Sequence, residues 1–227
     1  MRFADLDQYI IPYLPSQVRA LDIGVSTGVT SVELYKTLKE NGLNFQLHVC
    51  DPYSKVSTSG NLIKSVWNEN DRVICHFVGP ICFSKNFRFR WLISKLGGYF
   101  LDSICRSDKP KFQRWILNEN LKDLLRENKI TWQNLDIVSD VATAPFDFVR
   151  IMNVLNCDLF SLHIMRLALQ NIVLSVNEGG IVLIGRTMPS GINNAGIYRK
   201  VGDTLVIQRN INDGCEFHGI FPGIFAF

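Results

Sequence analysis

"RALDIGVSTGVTS", Arg19 to Ser31, decides how this chain is read. A short apolar run reaches Asp22; Gly24, Ser26, Thr27 and Gly28 then make a polar turn, and apolar residues at helical spacing follow at once. The pattern predicts a strand, a tight turn and a helix. Glycines at such a turn let the backbone bend sharply and let a ligand come close to it. Asp22, at the strand's end, is placed to accept hydrogen bonds from a ligand ammonium. Taken alone, the stretch also suits an ordinary connection between strand and helix.

The surrounding chain repeats the rhythm. "TSVELYKTLKENG" reads as a helix ending at Gly42, and "NFQLHVCD" as a second strand ending at Asp51, where Pro52 stops it. "ITWQNLDIV" and "FDFVRIMNVL" read as strands, "SLHIMRLALQNIVLSV" as a helix closed by "NEGG", and "IVLIGRT" as another strand. "TLVIQRN" and "CEFHGIF" around "INDG" read as a terminal hairpin. Strands alternating with helices predict an α/β fold: a doubly wound, mostly parallel sheet with a C-terminal antiparallel hairpin. Residues 54–129 break the alternation and are expected to be a helical insertion in a single domain spanning 1–227. Within it, Phe83 to Trp115 carries eight basic residues against two acidic ones. Its net charge of +6 exceeds the +3 of the whole chain, so the excess is concentrated there.

Three acids recur at expected strand ends: Asp22, Asp51 and Asp136. Asp51 comes 23 residues after Gly28, where a carboxylate accepts the hydroxyls of a ribose in doubly wound nucleotide folds. Each alone is also a common turn or cap residue. "LDIGVSTG", "VCD", "LDIVSD", "FDFVRIMNVLN" and "NEGGIVLIGRT" together resemble the successive motifs of class I S-adenosylmethionine-dependent methyltransferases. The stretch from Lys129 to Asn156 is similar to the corresponding part of chemoreceptor glutamate methyltransferases. The helical domain that precedes the catalytic domain in those enzymes has no counterpart in these 227 residues, so their substrate is not expected to carry over. The resemblance implies a Rossmann-like methyltransferase fold and S-adenosylmethionine as cofactor. Asp22, Gly24, Ser26 and Gly28, with Thr27 between, would surround its methionine part, and Asp51 would hold the ribose. Asp136 and Ile137 would face the adenine; Asn153 and Val154 would line the wall near the methyl group. Ser26 departs from the commoner glycine at the middle of the loop.

Other readings fit less well. A nicotinamide site needs G-x-G-x-x-G, and a phosphate loop needs G-K-[ST]; neither is present. The six cysteines form no C-x-x-C pair, and the N-terminal stretch carries acids and prolines where a signal peptide is apolar. These features give the expectation of a cytoplasmic protein. Asp140, Asp147 and Asp158 have no diagnostic metal spacing, and no metal is expected. The sequence singles out no catalytic base among Asn153, Asn156, His163, His218, Arg150, Arg186, Tyr198 and Arg199. Tyr198 and Arg199, after "SGINNAG", are candidates for a loop closing over substrate. The expected function is methyl transfer to a small-molecule, lipid- or glycan-like acceptor, with no nucleic-acid partner. The alternative is a non-catalytic module that docks on a membrane or acidic partner through Phe83–Trp115.

Overall fold

The computed structural model describes residues 2–51, 55–59, 63–67, 73–78, 81–83, 100–101, 112–115, 117–156 and 160–226. They fall into two compact units, one of Met1–Asp51 with Asn118–Phe227 and one of Pro52–Leu117.

The first unit is built on strands buried on both faces. β1 (Gln17–Ile23), β2 (Asn44–Cys50), β8 (Ile130–Trp132) and β9 (Phe146–Met152) are parallel, as is the pairing of β9 with β10 (Val176–Thr187). β11 (Asn193–Val201) and β12 (Thr204–Ile211) continue the sheet antiparallel, and the short β13 (Phe225–Ala226) lies parallel on β12. The spatial order is β8-β2-β1-β9-β10-β11-β12-β13. From β1 the chain runs outward through β2 to β8, then returns to the other side of β1 as β9. The crevice between β1 and β9 is therefore the topological switch point, where sheets of this kind bind ligands. Registers pair Ile23 with both Cys50 and Ile151, so Gly24, Asp51 and Met152 lie level with one another along one edge.

Helices α1 (Ala4–Ile10), α2 (Val29–Glu40), α3 (Glu119–Arg126) and α4 (Leu162–Leu174) are the α-helices among the described residues of this unit. α4 starts where Ser161 Oγ accepts the Ile164 N–H, and it buries Met165, Ala168, Leu169, Ile172 and Val173. These residues join Leu21, Phe146, Val149 and Val182 in the main hydrophobic cluster.

Three sequence expectations need correction. "NEGG" does not end a helix outside the sheet: β10 already begins at Val176, with a bulge between Val176 and Ile181 that absorbs the two glycines. A Cβ on Gly180 would lie 2.9 Å from the Asn177 carbonyl oxygen, so glycine permits this kink. The C-terminal hairpin is present but joins β11 to β12 through Gly202 and Asp203. "CEFHGIF" instead coils into turns, where the Phe217 carbonyl accepts the N–H groups of Ile220 and Phe221. Those turns put Phe217 and Phe221 into the core.

The third correction concerns the expected helical insertion. Most of the described part of the second unit is an antiparallel sheet in the order β6-β5-β4-β3-β7, and only Phe100 and Leu101 among its described residues are helical. Its strands are β3 (Lys55–Ser59), β4 (Ile63–Trp67), β5 (Val73–Val78), β6 (Ile81–Phe83) and β7 (Phe112–Trp115). Segments such as "KVSTS" and "VICHFV" are rich in β-branched residues, which suit a pleated surface. A buried Ser65 Oγ to His76 Nδ1 hydrogen bond of 2.9 Å links β4 to β5 at paired positions. Most of the basic, aromatic stretch expected as a docking surface, residues 84–99 and 102–111, lies outside the described residues. Helix α3, inside the expected insertion, belongs to the first unit.

Candidate functional site

The glycine loop is fastened on several sides. At its start, the Gly24 N–H donates to the Cys50 carbonyl (2.9 Å), and the Val25 N–H does so more weakly (3.4 Å). At its middle, the Ser26 N–H donates to Asp51 Oδ2 at 2.7 Å. At its end, the Gly28 N–H closes back on the Val25 carbonyl, and the Thr27 carbonyl accepts from both the backbone N–H and Nδ2 of Asn118, each at 2.8 Å. Asn118 is also the N-cap of α3, its Oδ1 accepting the Leu121 N–H.

Gly24, Ser26 and Gly28 all adopt positive φ, at +77°, +52° and +83°. That alternation turns the chain from strand to helix within five residues. For Ser26 the left-handed conformation costs about 1–2 kcal/mol, which its bond to the Asp51 carboxylate offsets. The two flanking glycines are required by packing as well. A Cβ on Gly24 would sit 2.1 Å from Val154 Cγ2, and one on Gly28 would sit 2.1 Å from Leu121 Cδ2. Val154 therefore lies directly on the loop's first glycine, across the switch point.

Asp22 does not face the loop's open side. It is 4% exposed and is the register partner of Arg150 on β9. Arg150, singled out as a candidate for binding an acidic substrate, is wholly interior. Its Nε and Nη2 donate to Asp22 Oδ1 and Oδ2 at 2.8 and 2.7 Å. Nη1 reaches both oxygens of Asp7 on α1, at 2.9 and 2.8 Å, and Nη2 also holds the Thr30 carbonyl at 2.9 Å. Ser31 Oγ donates to Asp22 Oδ2 at 2.6 Å. This network clamps the first turn of α2, just after the glycine loop, to α1, β1 and β9.

One guanidinium here faces two carboxylates, so the cluster is neutral only when one carboxylate holds a proton. Asp7 is that group. Burial pushes its carboxyl up to about 6, and the opposing pull of Arg150 only partly compensates. Burial works against the charge of Arg150, but Asp22 and Asp7 together hold its pKa above the ordinary arginine value. Sequence reasoning missed Asp7. Its signal was an acid in the apolar stripe Phe3, Leu6, Asp7, Ile10, at the spacing of one buried helix face.

The other expected site residues are placed as follows. Asn153 is exposed, in the left-handed conformation (φ +61°), and stitches β9 to β10. Its Oδ1 accepts the Thr187 N–H at 2.7 Å, and its Nδ2 donates to Thr187 Oγ1 at 3.2 Å. Asp136 lies four residues beyond β8, not at its end, because the strand stops at Trp132. It opens a turn in which its Oδ1 accepts the Val138 N–H and its carbonyl accepts from Ser139 and Asp140. Ile137 is buried in the main cluster. Asp140 accepts the Asp136 N–H, whereas Asp147, near the start of β9, receives the Arg19 N–H and Asn177 Nδ2. The two acids do not gather, and among the described residues no group of three His, Cys, Asp or Glu is placed to hold a metal ion. Among those residues no helix is long and apolar enough to cross a membrane.

Tyr198 and Arg199 are not in a closing loop. Both belong to β11, with Tyr198 buried against Phe225 and its phenol pushed up by burial, and Arg199 Nη1 on the Gly179 carbonyl. Burial likewise pushes the Cys50 thiol up, which keeps it protonated and unreactive. His163, in α4, is exposed.

No protein-family model matches this chain, and no curated protein matches it. Solved structures do. The N-methyltransferase NodS from Bradyrhizobium japonicum WM9 is 16% identical with a TM-score of 0.38, covering 80% of this chain and 66% of that one. In its complex with S-adenosyl-L-homocysteine the TM-score is 0.39, over 82% of this chain and 62% of that one. The amino pentose methyltransferase CalS10 from Micromonospora echinaspora, bound to S-adenosylmethionine, is 13% identical with a TM-score of 0.39, over 86% and 61%. The chain spans about two thirds or less of the length of these proteins. Strand order, register and switch point define on their own a doubly wound, Rossmann-like α/β fold.

Two stability predictions follow from this geometry. Gly28→Ala should destabilise the fold by about 2–4 kcal/mol, combining a left-handed alanine with overpacking against the buried Leu121; urea unfolding measures it. Asp7 gives the second. Its folded pKa of about 6 lies above the ordinary 3.8 of an aspartate, so the folded state keeps a proton that the unfolded chain releases. The resulting stability is full below about pH 4 and is lost as pH rises through 6, by on the order of 3 kcal/mol. Unfolding free energies at pH 4.5, 5.5 and 6.5 should fall in that order, and Asp7→Asn should flatten the decline.

Proposed function

We propose that this chain is an S-adenosylmethionine-dependent methyltransferase acting on a small-molecule acceptor. The observation that carries the proposal is the pairing of Asp51 with the glycine loop at the switch point. One carboxylate oxygen fixes the Ser26 N–H at 2.7 Å, which holds the acid beside the loop where the ribose of an adenosine ligand would present its hydroxyls. The charge balance at this edge supports a cationic ligand. Asp51 and Asp136 both lie close enough to Cys50, at the end of β2, to act on it electrostatically, while the N–H groups of Gly24, Val25, Ser26 and Gly28 are already spent inside the protein. A loop that has committed its donors, beside two carboxylates, suits an ammonium and a sulfonium better than a pyrophosphate.

In this reading the loop and Asp51 hold the cofactor, and Val154 walls off Gly24 beside it. Asp136 borders the adenine end, with Ile137 packing the turn from inside. Asp22 and Arg150 brace the loop from below without touching the ligand. The cofactor supplies an electrophilic methyl carbon; the protein's task is to align the acceptor with it and exclude water.

Calorimetry with S-adenosylmethionine and S-adenosylhomocysteine tests the proposal: both should bind at micromolar to submillimolar concentration, and absence of heat at millimolar ligand would overturn it. Asp51→Ala should weaken binding of either by about 1–3 kcal/mol, roughly 5- to 150-fold. Unchanged affinity in the folded variant would remove Asp51 from the site.

A further inference from the structure

Beyond the glycine loop, the same sheet edge continues onto the antiparallel strands. There a small niche of about 10 Å³ opens between the end of β10, the start of β11 and the chain after β12. Leu155, Cys215 and Phe217 form its apolar walls, and Arg186, Asn194 and Glu216 its polar ones. Arg186 and Asn194 are register partners on neighbouring antiparallel strands, so their side chains share one face of the sheet.

The polar groups are nearly all committed. Arg186 Nη1 donates to both oxygens of Glu216, at 3.1 and 2.9 Å. Asn194 is 7% exposed, and its Nδ2 donates to Asp213 Oδ2 at 3.0 Å. That bond also fixes the amide's orientation, because the NH2 group must face the carboxylate and the oxygen must point the other way. The oxygen, Oδ1, is buried and has no hydrogen-bond partner among the described residues. An acceptor atom buried without a donor is unfavourable in an interior that otherwise satisfies its polar groups. A niche of this volume has room for one water-sized group.

We propose that Asn194 Oδ1 recognises a terminal hydroxyl or amino group of the methyl acceptor, which donates a hydrogen bond to it in this niche. An amide oxygen only accepts hydrogen bonds, so the group it recognises must donate, which excludes a carboxylate, a phosphate or an ether oxygen. The charge agrees: Arg186 is matched by Glu216, leaving the Asp213 carboxylate beside the amide to disfavour an anion. The position agrees as well. Leu155 lines the niche, and its chain neighbour Val154 lies on Gly24, so an acceptor anchored at Asn194 is one residue along β9's exit from the wall of the proposed cofactor site. This assignment rests on the methyltransferase reading for what the group is part of, but not for the donor chemistry of the niche.

The test uses the whole chain saturated with S-adenosylhomocysteine, and three small probes. Ethylene glycol and ethanolamine carry terminal donors; 1,2-dimethoxyethane has the glycol's skeleton with both oxygens capped. NMR of the side-chain amides should show the Asn194 resonance shifting with the glycol, ethanolamine or both, and not with the diether. Which of the two shifts it more tells a hydroxyl from an amine. Asn194→Leu, close in volume but without the acceptor, should weaken saturation-transfer signals from the bound probe at least tenfold, with the affinity for S-adenosylhomocysteine kept within twofold. An equal response to the diether, no shift of Asn194 with either donor, or unchanged probe binding by Asn194→Leu overturns the proposal. The wild-type amide shift decides the matter even if the leucine variant does not fold. Should S-adenosylhomocysteine fail to bind while the donors still shift Asn194, the cofactor reading falls and the donor niche stands.

Discussion

Arg150 is the constraint on which the rest of this structure depends. A guanidinium has five N–H donors, and here all five find acceptors in the interior: two on Asp22, two on Asp7 and one on the Thr30 carbonyl. Burying such a charge without partners would cost several kcal/mol, and removing one partner from a buried pair typically costs about 3–5 kcal/mol. The chain must therefore bring α1, β1 and the start of α2 to β9 together. The stem of the glycine loop is fixed as a consequence. Asp22 holds Ser31 and Arg150 holds Thr30, so the loop between Ile23 and Val29 spans two anchored ends.

With both ends fixed, the loop's shape follows from its left-handed residues and from what approaches it. Gly24 and Gly28 have no side chains because Val154 and Leu121 occupy the space where a Cβ would stand. The loop is thus held by two packing contacts and two side-chain polar ones, to Asp51 and Asn118, from three different segments of sequence. A ligand held here meets a preformed surface and does not have to order the loop, which reduces the entropic cost of binding.

Much of this was legible in the sequence, and the parts that were not have physical reasons. The parallel core could be read because strands buried on both faces are continuous apolar runs, and the order of "LDIGV", "HVCD" and "FDFVRIM" carried the acid at the end of β2. Asp22 looked like a ligand group because a pattern along one strand cannot reveal Arg150, 128 positions away, beside it. Asp136 looked like a strand end because "ITWQNLDIV" is apolar enough to continue, yet its side chain takes the Val138 N–H and turns the chain locally. The insertion was expected to be helical because a crossover between parallel strands usually is, while its β-branched segments, which form the described strands, were the better guide. Asn118 was invisible as a clamp because its role depends on where α3 begins in space.

The two halves of the sheet offer a ligand different things, and this bears on how specificity arises on such a fold. Where strands are parallel, each one ends at the same edge and runs into a loop, so that edge presents turns: Gly24 to Gly28, Asp51, and Asn153 with Val154. The groups available there are largely main chain and single strand-end acids, suited to a ligand that does not vary. Where β10, β11 and β12 are antiparallel, the same edge receives the end of one strand beside the start of the next. Side chains then face one another at fixed register, as Arg186 and Asn194 do. Changing one residue on such a hairpin alters a polar pair without moving the backbone that shapes the glycine loop. The antiparallel half is therefore where this fold can change what it recognises at least cost to the proposed cofactor site, and the Asn194 oxygen that lacks a partner among the described residues lies in that half.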